Sequence, residues 1–186
     1  PGFTIRVVDE QGNEMPAGEE GQIAVKVKPE RPVGLFKEYW KDAETMERSF
    51  LGDWYLTGDK AYIDEDGYFW FVGRADDVII SAGYRIGPFE VESALIEHPA
   101  VAESAVVASP DDVRGEIVKA FVILAPDYVA SDELMISLQD HVRTTTAPYK
   151  YPRAVEFVTE LPKTVSGKIR RVELRQRELD KAKRDS

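Results

Sequence analysis

The stretch Gly73-Arg-Ala-Asp-Asp-Val-Ile-Ile-Ser-Ala-Gly-Tyr-Arg-Ile-Gly-Pro-Phe-Glu-Val-Glu92 decides how this chain folds. Val78 to Ser81 is a short apolar run of strand character, and Gly83 and Gly87 follow it as turn signals. Pro88 stands where a first helical residue is favoured, because its missing N–H has no intrahelical partner to lose. The helix it opens runs to about His98 and stops before Pro99. The two sides of this stretch differ in texture, which makes it a junction between two bodies.

Upstream, the pattern is mostly β. Phe3, Ile5 and Val7 alternate with Thr4 and Arg6, predicting a half-buried strand over Phe3 to Val8. Gln22 to Lys28 alternates again, with Ile23, Val25 and Val27 on one face. Trp40 to Phe50 holds one short helix. Ala61 to Ile63 and Tyr68 to Val72 form a hairpin across Asp64-Glu65-Asp66-Gly67. Downstream, Val101 to Ala108, Ile117 to Leu124 and Ala154 to Val158 read as strands. Ser131 is an N-cap for a helix with Leu134, Leu138 and Val142 on one stripe. Arg171 to Lys183 is a last, highly charged helix, read as solvated. Strands and helices do not follow a strict βαβ rhythm. The fold class is therefore α+β: a β-rich piece over residues 1–73, a hinge linker over 74–77, and a small α+β domain over 78–186.

Composition limits the function. The 186 residues are 43% hydrophobic, enough for one core plus part of another. The formal net charge of -10 disfavours nucleic acid and anionic membranes as partners, though it leaves room for a local basic site. With no cysteine there is no disulfide framework and no thiol chemistry. His98 and His141 lie 43 positions apart, and neither has an evident metal partner, so no metal site is assigned. Without a signal peptide or a long apolar run, the default compartment is the cytoplasm. The chain opens on Pro1 and runs directly into a strand pattern, so it is read as a piece of a longer parent.

Three segments carry chemistry. In Tyr55-Leu-Thr-Gly-Asp59, Gly58 permits a tight turn that leaves Asp59 facing out of the end of the sheet. A carboxylate is acceptor-only and suits a pair of ribose hydroxyls. In the junction, Arg74 offers five fixed donors for hydroxyls or phosphate oxygens. Asp76 and Asp77 lie in a polar stretch that can change dihedrals during domain motion. Gly83 lets a ligand approach the backbone, and Arg74 and Arg85 bracket the turn. In Leu161-Pro-Lys-Thr-Val-Ser-Gly-Lys168-Ile-Arg-Arg171, Lys168 follows Ser166-Gly167 in a flexible loop and can bring positive charge to a polyanion. This is not a P-loop: the first Gly is missing and Ile169 stands where Ser or Thr should be. Taken singly, each segment also reads as an ordinary surface turn, linker or basic loop.

In this order and spacing, the three resemble the late signature motifs of the adenylate-forming superfamily, which includes acyl-CoA synthetases, luciferases and the adenylation domains of peptide synthetases. The resemblance covers nearly the whole chain. Glu38-Tyr-Trp40, Gly52-Asp-Trp-Tyr-Leu-Thr-Gly-Asp59 and Ser81 to Glu92 are most similar to medium-chain and acetyl-type acyl-CoA synthetases. The resemblance implies an enzyme of fatty acid metabolism that joins a carboxylic acid to CoA through an acyl-AMP, with ATP, Mg2+ and CoA as co-reactants. It implies ribose and nucleotide contacts for Asp59 and Arg74, a hinge at Asp76, and acyl-adenylate contact for Lys168. It further implies a CoA-facing surface at Gly83, Tyr84, Arg85 and Arg114, the last in Asp112-Val-Arg-Gly-Glu116. The family's Ser/Thr/Gly-rich phosphate loop, its adenine and Mg2+ motif and its acyl pocket are not found in these residues. The chain alone is therefore expected to be inactive. Two other readings stay open: adenylation for a carrier-protein thiol or a luciferase-like oxidation, and a C-terminal binding module without chemistry. The acid and the oligomeric state are not readable.

Overall fold

The computed structural model describes residues 2–185. The chain divides into two compact units, with the division falling between Asp76 and Asp77.

The first unit is an antiparallel sheet. Its strands are β1 (Ile5–Val8), β2 (Gly21–Lys26), β3 (Phe50–Leu51), β4 (Trp54–Ile63) and β5 (Phe69–Arg74), with the short helix α1 (Ala43–Arg48) before β3. The order is β1-β2-β4-β3, and β5 also pairs with β4. Its small core joins Val8, Ala24 and Trp54, with Leu56 against them. Trp54 also donates from Nε1 to the Gly12 carbonyl at 3.0 Å, satisfying its one polar atom.

The alternation expected for β1 and β2 is only part of what is buried: Val7 and Val25 of the expected face are buried, and so are Val8 and Ala24 of the other. In β1, Val7 and Val8 are buried together while Phe3 and Ile5 are exposed. The turn at Asp9 to Asn13 folds the chain back so that the Met15 amide donates to the Val7 carbonyl at 2.9 Å. In β2, Ala24 is fully buried where it packs with Val8 and Trp54, and the register with β4 shifts between Gln22 and Ala24. The β4–β5 hairpin forms across Asp64 to Gly67 as the turn residues predict. The Asp64 carboxylate accepts from the Asp66 and Tyr68 amides at 3.1 and 2.8 Å and from Trp70 Nε1 at 2.7 Å.

The second unit is a mixed sheet with helices on both faces. It contains β6 (Ile79–Ser81), β7 (Tyr84–Ile86), α2 (Pro88–Ile96), β8 (Val101–Asp111), β9 (Gly115–Leu124), α3 (Asp132–Thr145), β10 (Ala154–Phe157) and α4 (Arg171–Asp185). The sheet runs β10-β9-β6-β7, with β8 also paired to β9. Only β10 lies parallel, against β9. Pro88 opens α2, and the Ser131 side chain caps α3 by accepting from the Leu134 amide. Strand alternation splits the core in two. Val106, Val118, Ala120 and Val122 pack with Val91 and Leu95 of α2 and Leu138 and Val142 of α3. Ala105, Val107 and Phe121 point the other way, to Leu161 and Leu174 of α4.

The last helix is a correction to the sequence reading. It is docked, with Leu174 1% exposed and Glu178 6% exposed. Glu178 accepts from Lys119 Nζ at 2.6 Å and from Ser109 Oγ at 2.7 Å. Lys119 also reaches Glu156 at 2.6 Å and sits over the Phe121 ring. A charge-rich helix hides such a face because its inward acidic residue is paired by a lysine from a distant strand.

Candidate functional site

The first cluster lies in the first unit. Thr57, Gly58 and Asp59 are not a turn at the end of the sheet; they lie within β4. Gly58 takes φ +79° there, and the β4–β5 register slips between Lys60 and Ala61. The irregular backbone aims Asp59 without ending the strand. Asp59 is paired with Arg74 across the two strands. Arg74 donates from Nη1 to Asp59 Oδ1 at 3.2 Å and from Nε to Asp76 Oδ1 at 3.3 Å. Burial alone would lower the Arg74 pKa, but the charges of Asp76 and Asp59 outweigh it and hold the guanidinium ionised. The guanidinium lies over Gly58, where an added Cβ would come within 2.8 Å of Nη2. Gly58 is required twice: for its dihedral and to admit Arg74. Nearby, Tyr55 is pushed up to about 12, first by burial and then by its contact with the Tyr39 hydroxyl at 3.1 Å.

The second cluster lies in the second unit. Ala82 and Gly83 both have positive φ, 49° and 85°, the two-residue turn that joins β6 to β7. The sequence reading saw the turn but not β7, whose three residues give no periodicity to detect. The Ala82 amide donates to the Arg114 carbonyl at 3.1 Å. The β8–β9 turn is shaped by Asp111, which accepts from the Val113 and Arg114 amides at 3.1 and 2.8 Å. Gly83, Tyr84, Arg85 and Arg114 are thus brought to one end of the unit. Tyr149, which the sequence reading missed, stacks on Tyr84 with centroids 4.4 Å apart. Lys150 next to it is held by Glu90 at 2.6 Å.

Lys168 ends a hydrogen-bonded turn. Thr164 and Lys168 exchange hydrogen bonds: the Thr164 amide donates to the Lys168 carbonyl at 2.8 Å, and the Lys168 amide donates to Thr164 Oγ1 at 3.1 Å. The Gly167 amide donates to the Thr164 carbonyl at 2.9 Å, with Gly167 at φ 84°. The backbone is closed, while the Lys168 side chain is exposed and has no ion-pair partner among the described residues. The two histidines do meet: their rings are 5.4 Å apart, edge to face, between α2 and α3. The pKa of His98 is lowered, first by burial and then by the neighbouring His141.

Residues 90–168 match the family described as AMP-binding enzyme C-terminal domain. Over these residues the chain is similar to that C-terminal domain. The match begins in α2 and ends on Lys168. The likeness to known proteins extends further. The chain is 60% identical over 180 residues to the mouse mitochondrial acyl-coenzyme A synthetase ACSM3, covering 96% of this chain and 31% of the mouse protein. It is 61% identical over 180 residues to rat mitochondrial ACSM5, with the same coverage. Among solved structures, the anthranilate CoA ligase AuaEII in complex with anthranoyl-AMP superposes with a TM-score of 0.83 at 43% identity, covering 97% of this chain and 34% of that one. ATP-bound MatB from Rhodopseudomonas palustris gives 0.82 at 35% identity, covering 95% and 34%. The chain therefore spans about a third of the length of these relatives. No described helix is long and apolar enough to cross a membrane.

Proposed function

We propose that the parent of this chain is an AMP-forming acyl-CoA synthetase, and that this chain supplies its late nucleotide contacts and its mobile C-terminal domain. The reading is carried by the Asp59–Arg74 pair, set across β4 and β5 just ahead of the domain division, in a chain 60% identical to proteins of that name. The substrates are a carboxylic acid, ATP and CoA. In the first half-reaction the acid's carboxylate attacks the α-phosphate of ATP, and pyrophosphate leaves. Asp59 accepts from the ribose hydroxyls, and Arg74 donates to the nucleotide. Lys168, exposed at the end of its turn, neutralises charge that develops as the P–O bond breaks. In the second half-reaction the CoA thiol attacks the acyl carbon, gives up its proton, and releases AMP. The surface carrying Gly83, Tyr84, Arg85 and Arg114 receives CoA, after a rotation of the domain at Asp76.

Among the described residues no three metal-ligating side chains gather. Mg2+ would enter with the phosphates of ATP, held outside this chain, and no step here depends on it. The relatives named above are mitochondrial, and we assign the parent to that compartment in place of the cytoplasmic default, since composition carries no address.

The test uses the parent chain: AMP release from ATP over a panel of carboxylic acids, with and without CoA, beside Lys168→Ala. Release should require both acid and CoA, and should fall ~10²–10³-fold in the variant. Acid-dependent pyrophosphate release that ignores CoA would transfer the reading to a carrier-protein acceptor. Release independent of any acid would sink the synthetase reading.

A further inference from the structure

Asp77, the first residue of the second unit, is only 9% exposed. Its carboxylate faces two arginines of α4. Arg175 donates from Nη1 to Asp77 Oδ1, and Arg171 Nη1 lies 3.8 Å from Asp77 Oδ2. Arg171 is in turn bidentate to Glu92 of α2, from Nε at 3.0 Å and from Nη2 at 2.5 Å. Glu92 Oε1 also accepts from the Val106 amide of β8 at 2.7 Å. Four side chains thus tie the start of the unit to α2, β8 and α4, with charges that sum to zero. Burial pushes Glu92 up, against the Arg171 bond that pulls it down.

A buried network of this kind is weak evidence of stability, since apolar residues of the same volume often stabilise as well or better. What it does supply is geometry, because a bidentate guanidinium fixes distance and angle together. Arg171 is the first residue of α4, and Lys168 lies three residues ahead of it. Three residues span at most about 11 Å. Between them, the Arg170 amide donates to the Pro162 carbonyl at 2.8 Å and holds the end of the Lys168 turn.

We propose that Glu92, Asp77, Arg171 and Arg175 form a positioning clamp that fixes the Lys168 turn to the first residue of the C-terminal domain. A rotation at Asp76 then carries Lys168 as part of a rigid body instead of dissipating in the loop. These four are positioning residues that act through Lys168, and the proposal rests on the role given to Lys168 above.

The test separates the two half-reactions in the parent chain. Acid-dependent exchange of pyrophosphate into ATP reads adenylation; CoA capture of supplied acyl-AMP reads thioester formation. The double variant Glu92→Gln/Arg171→Gln removes both charges and leaves no buried charge unpaired. It should lower kcat for adenylation at least ~10-fold, since misplacement by about 1 Å can cost ~10² in rate. The KM for ATP and the thioester half-reaction should stay within about two-fold. Arg175→Gln should show the same selective loss, and Arg175→Lys should recover most of it. Equal losses in both half-reactions, tracking a fall in Tm, would reduce the clamp to a structural network and overturn the proposal. Should the wild-type parent show no acid-dependent exchange, the synthetase reading fails on its own. Amide hydrogen exchange then decides the clamp. Gly167, Lys168 and Arg170 should exchange at least ~10-fold faster in the double variant while the β8–β9 amides keep their protection. Unchanged exchange there means the network does not hold the turn.

Discussion

Gly58 is the residue on which the Asp59–Arg74 cluster turns. At φ +79° and with Arg74 pressed over it, it has no room for a methyl group. Gly58→Ala should cost ~1–3 kcal/mol of stability and displace Arg74 from Asp59. In the parent, the KM for ATP should rise about ten-fold with the thermal midpoint only slightly reduced; an unchanged KM would mean the Asp59–Arg74 geometry is not used. The Thr-Gly-Asp motif stands out in the sequence as a candidate for chemistry, but its geometry is not legible there. A Gly between polar residues reads as a turn, and only the cross-strand partner reveals that the strand continues through it. The histidines show the same gap: 43 positions separate them in sequence, and the packing of α2 on α3 sets them 5.4 Å apart. His98 Nδ1 accepts from the Ala100 amide at 3.2 Å, which only the unprotonated nitrogen can do. Because the folded pKa lies below the ordinary 6.5, the unfolded chain takes up the proton first as pH falls. The contribution of His98 is full above about pH 6.5 and is lost as pH falls through the lowered value. Tm should drop as pH falls below about 6.5, and His98→Asn should flatten that part of the profile in a calorimetric series. A wild-type profile that is already flat would exclude the linkage.

Elements with a local cause were the ones the sequence could reveal. The stripe Leu134, Leu138 and Val142, capped by Ser131, places α3 correctly, and Pro88 places the start of α2. The β4–β5 hairpin follows from Asp64 and Gly67. What stayed hidden depends on partners far along the chain. Val8 and Ala24 are buried against Trp54, Tyr84 meets Tyr149, and α4 is anchored by a lysine 59 residues upstream. That anchor makes a prediction about the docking of α4. Lys119→Met leaves Glu178 buried without its charge partner and should destabilise the second unit by about 3–5 kcal/mol. Lys119→Met/Glu178→Leu should recover most of that loss, because an apolar pair of similar volume avoids the desolvation cost. Urea unfolding followed by far-UV circular dichroism measures both. If the single variant unfolds like the wild type, Lys119 contributes nothing to holding the helix.

At the scale of the whole molecule, the two units are unequally built. The first rests on Val8, Ala24 and Trp54, and leaves Tyr68, Phe69, Trp70 and Phe71 exposed along β5. The second has a core on each face of its sheet, including Ile79, Ile86, Leu95 and Leu138 with no exposed surface. Hydrophobic stabilisation scales with the apolar area removed from water, so the first unit has far less to set against its conformational entropy. The chain should therefore not unfold as one cooperative body. Its sequence provides a direct readout: all three tryptophans, Trp40, Trp54 and Trp70, lie before the division at Asp76, whereas all the long helices lie after it. Tryptophan emission then reports the first unit, and the helical signal at 222 nm chiefly reports the second. In a urea titration the emission should change at a lower midpoint than the dichroism. Coincident midpoints would mean that the small β unit borrows its stability from the larger one, and that the boundary at Asp76 and Asp77 is not a boundary in folding.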